Sequence, residues 1–387
     1  MRRWVDDAWW ISIRRGFHEA DPRVFTRLTP GFQKADTVRE CPKPDADEPL
    51  APPVSGDADA VERPAASLVR LLFLPLVLVS AIVLVWLFVR WPGRDSVSPH
   101  DLVRDLGQPG KSHWQQAYAL AELLRGSQHA GLRQDARLAA ELSALLDAQL
   151  DAGPLDANRI NLRVFLCRAL GEFTVPSVQS VLLRASRLER SPAEIAVRRS
   201  AVEALAAHVA HGGTPDRDAA LVETLLATAR ESGGEMGAQA QRAELRASAA
   251  FALGVLGGEP PLTQLQFMLD DPHPNVRYNA ATGLARHGHD AAVPVLLEML
   301  DPGNSAALAG ETSAAGRTWK QAVVLSNAIR AAQQWAERNP QADRRSLTAA
   351  IEALLHAERI HADLAASVQD QARRTLSALA TLPQPVP

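Results

Sequence analysis

The chain has 387 residues, with 41 Lys and Arg against 44 Asp and Glu and a net charge of −3. That balance argues against a nucleic-acid partner, because a phosphate-binding groove needs a cationic excess on one face. Its two cysteines, Cys41 and Cys167, make neither a disulfide framework nor a CxxC metal site, and they leave the compartment open.

Residues 1–40 form a Trp-rich segment. Trp4, Trp9 and Trp10 fall within its first ten residues, and Val5, Trp9, Ile13 and Phe17 recur at every fourth position. At that spacing they share one apolar helical stripe. Such a stripe suits a membrane interface, a partner protein gripped through Trp4 and Trp9, or a cap that only packs. Residues 41–67 place Pro42, Pro44, Pro49, Pro52, Pro53 and Pro64 among Asp, Glu and Ala, the composition of an extended or disordered linker.

Residues 68–91 read as a transmembrane helix. The stretch 71–89 carries no charge, and Arg70 and Arg90 bracket it. Its length as a helix is about 28 Å, close to one hydrocarbon core. Trp86 and Trp91 lie near one end, where indole rings favour the interface. The segment begins far from the N-terminus and no small-residue cleavage site follows it, so it reads as an uncleaved anchor. Lys/Arg counts on the two sides nearly tie. The orientation read here is a cytoplasmic tail with the rest of the chain outside, in a single-pass bacterial inner-membrane protein. Residues 92–98 make a short connector.

Residues 99–381 repeat a pattern. Writing its first residue as i, it has Val or Leu at i, Arg at i+1, a small or apolar residue at i+4, Ala or Gly at i+7 and Leu at i+8. The matches are Leu162-Arg163-Leu166-Ala169-Leu170, Val197-Arg198-Ala201-Ala204-Leu205, Leu245-Arg246-Ala249-Ala252-Leu253 and Val276-Arg277-Ala280-Gly283-Leu284. Positions i, i+4, i+7 and i+8 share one helix face. A recurring helix with one buried face must stack on its neighbours, which makes a solenoid. Trp114 and Trp319 replace the Arg in two further units, and Gln369 in a third. The seven openings fall at 113, 162, 197, 245, 276, 318 and 368. Glycines and prolines punctuate the intervals, as at Gly257-Gly258-Glu259-Pro260-Pro261, and no alternating Val/Ile/Thr run argues for strands. Residues 382–387 read as a disordered C-terminus.

The segment Leu269-Asp270-Asp271-Pro272-His273-Pro274-Asn275-Val276-Arg277 resembles the turn of a HEAT repeat. The following Ala291–Asp301 resembles the first helix of the next unit. The resemblance implies an all-α fold: a right-handed α-α superhelix of about seven helix pairs, each a helical hairpin. It also implies a ladder between units in which Asp271 and Arg277 take the turn-Asp and helix-opening-Arg places. The units opening with Arg198 and Arg246 show no obvious turn Asp. Arg163, Arg198, Arg246 and Arg277 are read as structural, pairing with Asp or turn carbonyls.

No Gly-rich phosphate loop, GxSxG or HExxH is present. His287-Gly288-His289-Asp290 is the densest group of metal-ligand types, and it reads as a solvated turn. No catalytic residue, metal or cofactor is assigned. From residue 92 onward 29 Lys/Arg face 32 Asp/Glu, which again disfavours nucleic acid. Cys167 sits between core places and packs as a small hydrophobe. The function expected is a membrane-anchored scaffold that binds a protein on its solenoid surface. Tyr278 and Thr282, at i+2 and i+6, form the candidate partner strip. The alternatives are an enzyme or enzyme subunit of lyase or hydroxylase type on the same solenoid, and a nucleic-acid-binding HEAT domain.

Overall fold

A computed structural model describes residues 99–106, 113–152, 156–212, 218–232, 236–356 and 362–383. The expectations for Trp4, Trp9, the Pro-rich linker, the apolar stretch 71–89 and the connector fall outside those residues. Among the described residues no helix is long and apolar enough to cross a membrane.

The described residues are all-α, as expected, with short 3₁₀ turns between helices. Fourteen helices pair into seven hairpins. They are α1 (Pro99–Leu106) with α2 (His113–Arg125), α3 (Ala136–Asp151) with α4 (Ala157–Gly171), and α5 (Gln179–Arg187) with α6 (Ile195–Ala210). There follow α7 (Ala219–Ala229) with α8 (Met236–Leu256), and α9 (Glu259–Met268) with α10 (Pro274–Arg286). The last two pairs are α11 (Val293–Leu300) with α12 (Ala314–Arg338), and α13 (Arg345–Ala353) with α14 (Ala362–Ala380). Each second helix packs on the second helix of the next pair, from α2 through to α14, and the first helices lie against this layer.

The repeat positions explain the layer. Leu166, Ala169, Leu170, Ala201, Ala204, Leu205, Leu245, Ala249, Leu253, Val276, Ala280 and Leu284 are all buried. Small residues sit where second helices cross most closely. A Cβ at Gly171 would lie 2.8 Å from the Cα of Ala204, and one at Gly254 would lie 2.6 Å from the Cα of Gly283. In both cases position i+9 of one unit meets i+7 of the next.

The helix ends follow local chemistry. Asp135 opens α3 by accepting from the backbone N–H of Arg137 and Leu138 at 2.9 and 3.0 Å. Asp156 and Asp218 do the same for α4 and α7. Gly257 ends α8 at φ +67°, a left-handed conformation that disfavours any side chain. The repeat opening at 245 is not a helix start: α8 begins at Met236 and overhangs the repeat by more than two turns. Residues 236–244 are rich in helix formers but lack the apolar stripe, so the pattern does not mark them.

Candidate partner-binding groove

The four repeat arginines line one edge of the stack. Each points back over the C-terminal end of the first helix in its own hairpin. Arg163 donates to the carbonyls of Gln149 and Ala152, the latter at 3.1 Å. Arg198 donates to Ser186 O at 3.0 Å, Arg246 to Glu231 O at 3.1 Å and Arg277 to Asp271 O at 2.9 Å. A cation here satisfies carbonyls that the helix leaves unpaired and opposes the negative end of its dipole.

Each arginine also reaches an acid of the following hairpin. Arg163 lies 3.6 Å from Glu194, Arg198 binds Glu231, and Arg246 grips both oxygens of Asp271 at 2.9 and 3.1 Å. Arg277 donates to Glu298 at 2.6 Å. The ladder therefore extends to Arg198 and Arg246, where the sequence shows no obvious turn Asp. Asp271 and Arg277 each pair across a unit boundary, Asp271 with Arg246 and Arg277 with Glu298. The Asp271 carboxylate turns to the preceding unit and also accepts from the His273 N–H at 2.8 Å, so Arg277 meets only the Asp271 carbonyl.

The proposed strip of Tyr278 and Thr282 is corrected. Both are 4% exposed and neither offers a surface. A second helix is flanked by second helices on two sides and by its own first helix, so i+2 and i+6 are also covered. The Tyr278 hydroxyl donates to Glu298 at 2.9 Å and accepts from Asn304 at 2.7 Å. Burial pushes it up to about 12, with Glu298 adding and Asn304 opposing. Thr282→Glu would bury a carboxylate in this layer. We expect it to cost about 3 kcal/mol or more, read as a lower melting temperature by circular dichroism, with or without Tyr278→Ala.

The His287–Asp290 turn is tied into the stack. His287 Nε2 lies 3.0 Å from Gly254 O, and the Trp335 indole donates to Asp290 at 3.1 Å. Burial holds His287 below the usual histidine value, against the Gly254 hydrogen bond. No group of three possible metal ligands is found among the described residues. Cys167 is fully buried, and burial pushes its thiol up to about 12.

One surface feature was not legible in the sequence. Phe267, near the end of α9, is 72% exposed, the large hydrophobic side chain left open to solvent among the described residues. It stands on a groove of about 620 Å³ between the α7–α8 and α9–α10 hairpins. The α8 overhang supplies one wall through Gln239 and Ala243, and Met268 is opposite. The Arg246–Asp271 pair lines the same groove. Exposed Arg230 and Asp270 give its margin both signs of charge, and Arg230 is held by Gln264 at 2.8 Å. The groove can hold a side chain beside an aromatic ring, and Ser232 and His273 also line it.

Residues 236–313, which include the groove-lining helices α8 and α9, match the family described as HEAT repeats. The described residues are thus an all-helical repeat stack, of which residues 236–313 match HEAT repeats. No curated protein matches the chain. Among solved structures, human deoxyhypusine hydroxylase in complex with glycerol is 20% identical, with 75% of this chain and 99% of that one covered and a TM-score of 0.29. Two engineered proteins are each 18% identical; they cover 73% and 74% of this chain, and 96% and 89% of their own lengths are covered, at TM-scores of 0.30 and 0.29. Likeness at this level does not bear on function.

Proposed function

We propose that the chain is a membrane-anchored HEAT-type scaffold that holds a protein partner in the groove beside Phe267. The observation that carries this reading is the exposure of Phe267. Covering a phenylalanine ring is worth about 2–3 kcal/mol, so a partner gains a substantial anchor there. The uncharged stretch 71–89 supports a single span, with the tail in the cytoplasm and the solenoid outside, in a bacterial inner membrane. The tail, through Trp4 and Trp9, is assigned a second contact. The stack carries the right-handed twist that the HEAT resemblance implies. Tethering near the bilayer raises the effective concentration of a membrane partner, so modest affinity suffices.

The test places a photo-crosslinking amino acid at position 267 in full-length protein in its native membranes. A discrete adduct in the carbonate-washed membrane pellet is expected, and Phe267→Asp should reduce co-purification of the adducted partner at least about tenfold. Release of the protein by carbonate would remove the anchor. Absence of a discrete adduct would remove the groove. Turnover of a substrate by the purified protein would replace the scaffold reading with an enzyme.

A further inference from the structure

We propose that a closed ring of four charges positions the wall of the Phe267 groove, and that Arg242 is the residue that fastens it. The wall is the α8 overhang, residues 236–244, which carries Gln239 and Ala243. Apolar packing gives the overhang little hold. Of the side chains at 238–244, Ala243 is the one that is buried. Polar contacts must supply the rest.

Those contacts pull in opposite directions. Towards the next hairpin, Glu244 Oε1 accepts from Asn275 of α10 at 2.7 Å. Towards the preceding hairpins, Arg242 meets two carboxylates. It donates to Glu231, just beyond α7, at 3.0 Å, and to Glu189, in the turn between α5 and α6. Arg198 of α6 binds the same two acids, Glu189 at 2.9 Å and Glu231 on its other nitrogen. The four groups alternate in sign around the ring, and each guanidinium bridges both carboxylates.

The ring has a fixed side and a fastened side. The Arg198 side chain is 5% exposed and is also tied to Ser186 O at 3.0 Å, so it acts as a post. The Arg242 side chain is 20% exposed and arrives from the overhang. Arginine suits this place because its planar fork offers separate N–H groups to two acids, whereas a lysine is a single point of charge. A lone exposed ion pair contributes little, but charges joined in a network contribute more.

Arg242 and Glu189 do not line the groove, whereas Glu231 does. Arg242 therefore acts on the groove through the backbone of α8, as a positioning residue. With the ring broken, the overhang frays and a partner seated against Phe267 loses one wall. That last consequence rests on the partner reading of the groove; the ring does not.

The first test is hydrogen exchange of amides 240–244 in the full-length protein in detergent micelles, corrected for intrinsic exchange rates. Arg242→Met keeps the length of the side chain and removes its charge. It should speed exchange there about fivefold, the size expected of a small charge network. Glu189→Gln lies in another hairpin and should speed the same amides about twofold, with Arg242→Lys between wild type and Arg242→Met. Amides 248–254 of the same helix should not change. Unaltered exchange at 240–244 in Arg242→Met or in Glu189→Gln would overturn the ring, as would equal acceleration along the whole of α8. The second test is the yield of the adduct formed by the photo-crosslinking residue at position 267, which should fall about threefold in Arg242→Met. An undiminished adduct would show that the overhang is not the wall the partner uses. A wild-type protein that forms no adduct would sink the partner reading, while the exchange of 240–244 would still decide the ring.

Discussion

Gly254→Ala is expected to destabilise the protein by about 2–3 kcal/mol, although helix propensity alone predicts the opposite sign. Alanine is favoured over glycine within a helix by about 1 kcal/mol. At this position the added methyl would stand 2.6 Å from the Cα of Gly283. That neighbour is backbone and cannot rotate away, so α8 and α10 must separate. Separation loosens the layer on both sides of the contact and strains two more bonds. The carbonyl of Gly254 accepts from Arg286 at 3.1 Å and lies 3.0 Å from His287 Nε2. Overpacking of a tight core costs about 1–3 kcal/mol, occasionally more, which outweighs the propensity gain. Gly131 is the control, because an added Cβ there meets nothing within 4 Å. Urea unfolding of the full-length protein in detergent should show an earlier transition for Gly254→Ala and none for Gly131→Ala. A stabilised Gly254→Ala would mean that the two helices do not meet where the structure places them.

The same contact shows which parts of this fold the sequence displays. Positions i, i+4, i+7 and i+8 were legible because periodicity is a property of side-chain type alone, and in the four Arg-bearing units each is buried, whereas Thr318, Ala322 and Leu376 of the other units are only partly covered. The i+9 glycine was not singled out, since it matters only once two helices are laid side by side. The arginines were legible as a structural series, but their acids were not. Arg198 and Glu231 are 33 residues apart, Arg246 and Asp271 25, and Arg277 and Glu298 21. Unequal turns and the α8 overhang shift the acid while its place in space is kept, so fixed spacing could not find it. Tyr278 and Thr282 were misread for a different reason. A polar residue between core positions of an isolated helix faces water, but in an inner layer it faces the next helix. Phe267 escaped because α9, Glu-Pro-Pro-Leu-Thr-Gln-Leu-Gln-Phe-Met, is apolar on more than one side, and pattern alone does not say which side stays open.

Removing one acid from the ladder should cost more than any surface change. Arg163 is fully buried, and Glu194, its ionic partner in the next hairpin, is 1% exposed. Burial, then the like charge of Arg190, holds the Arg163 guanidinium below its usual value against the pull of Glu194. Glu194 is pushed up by burial, but hydrogen bonds from the Arg190 side chain and backbone, with the Ser191 N–H, hold its carboxyl below the usual range. Glu194→Ala therefore strands a buried cation with only carbonyl acceptors and also removes the backbone contacts that open α6. We expect a loss of about 3–5 kcal/mol, measured as an earlier urea transition. Replacing both partners, Arg163→Met with Glu194→Leu, should recover most of that loss, because two apolar side chains need no pairing. The pH dependence has a definite sign. A depressed carboxylate contributes its stability above the ordinary carboxylate range and loses it as pH falls through its folded value. The gap between wild type and Glu194→Ala should therefore be full at neutral pH and close in acid. A gap that persists unchanged in acid, or a double variant no better than the single, would show that Glu194 acts through the turn geometry and not through the buried charge of Arg163.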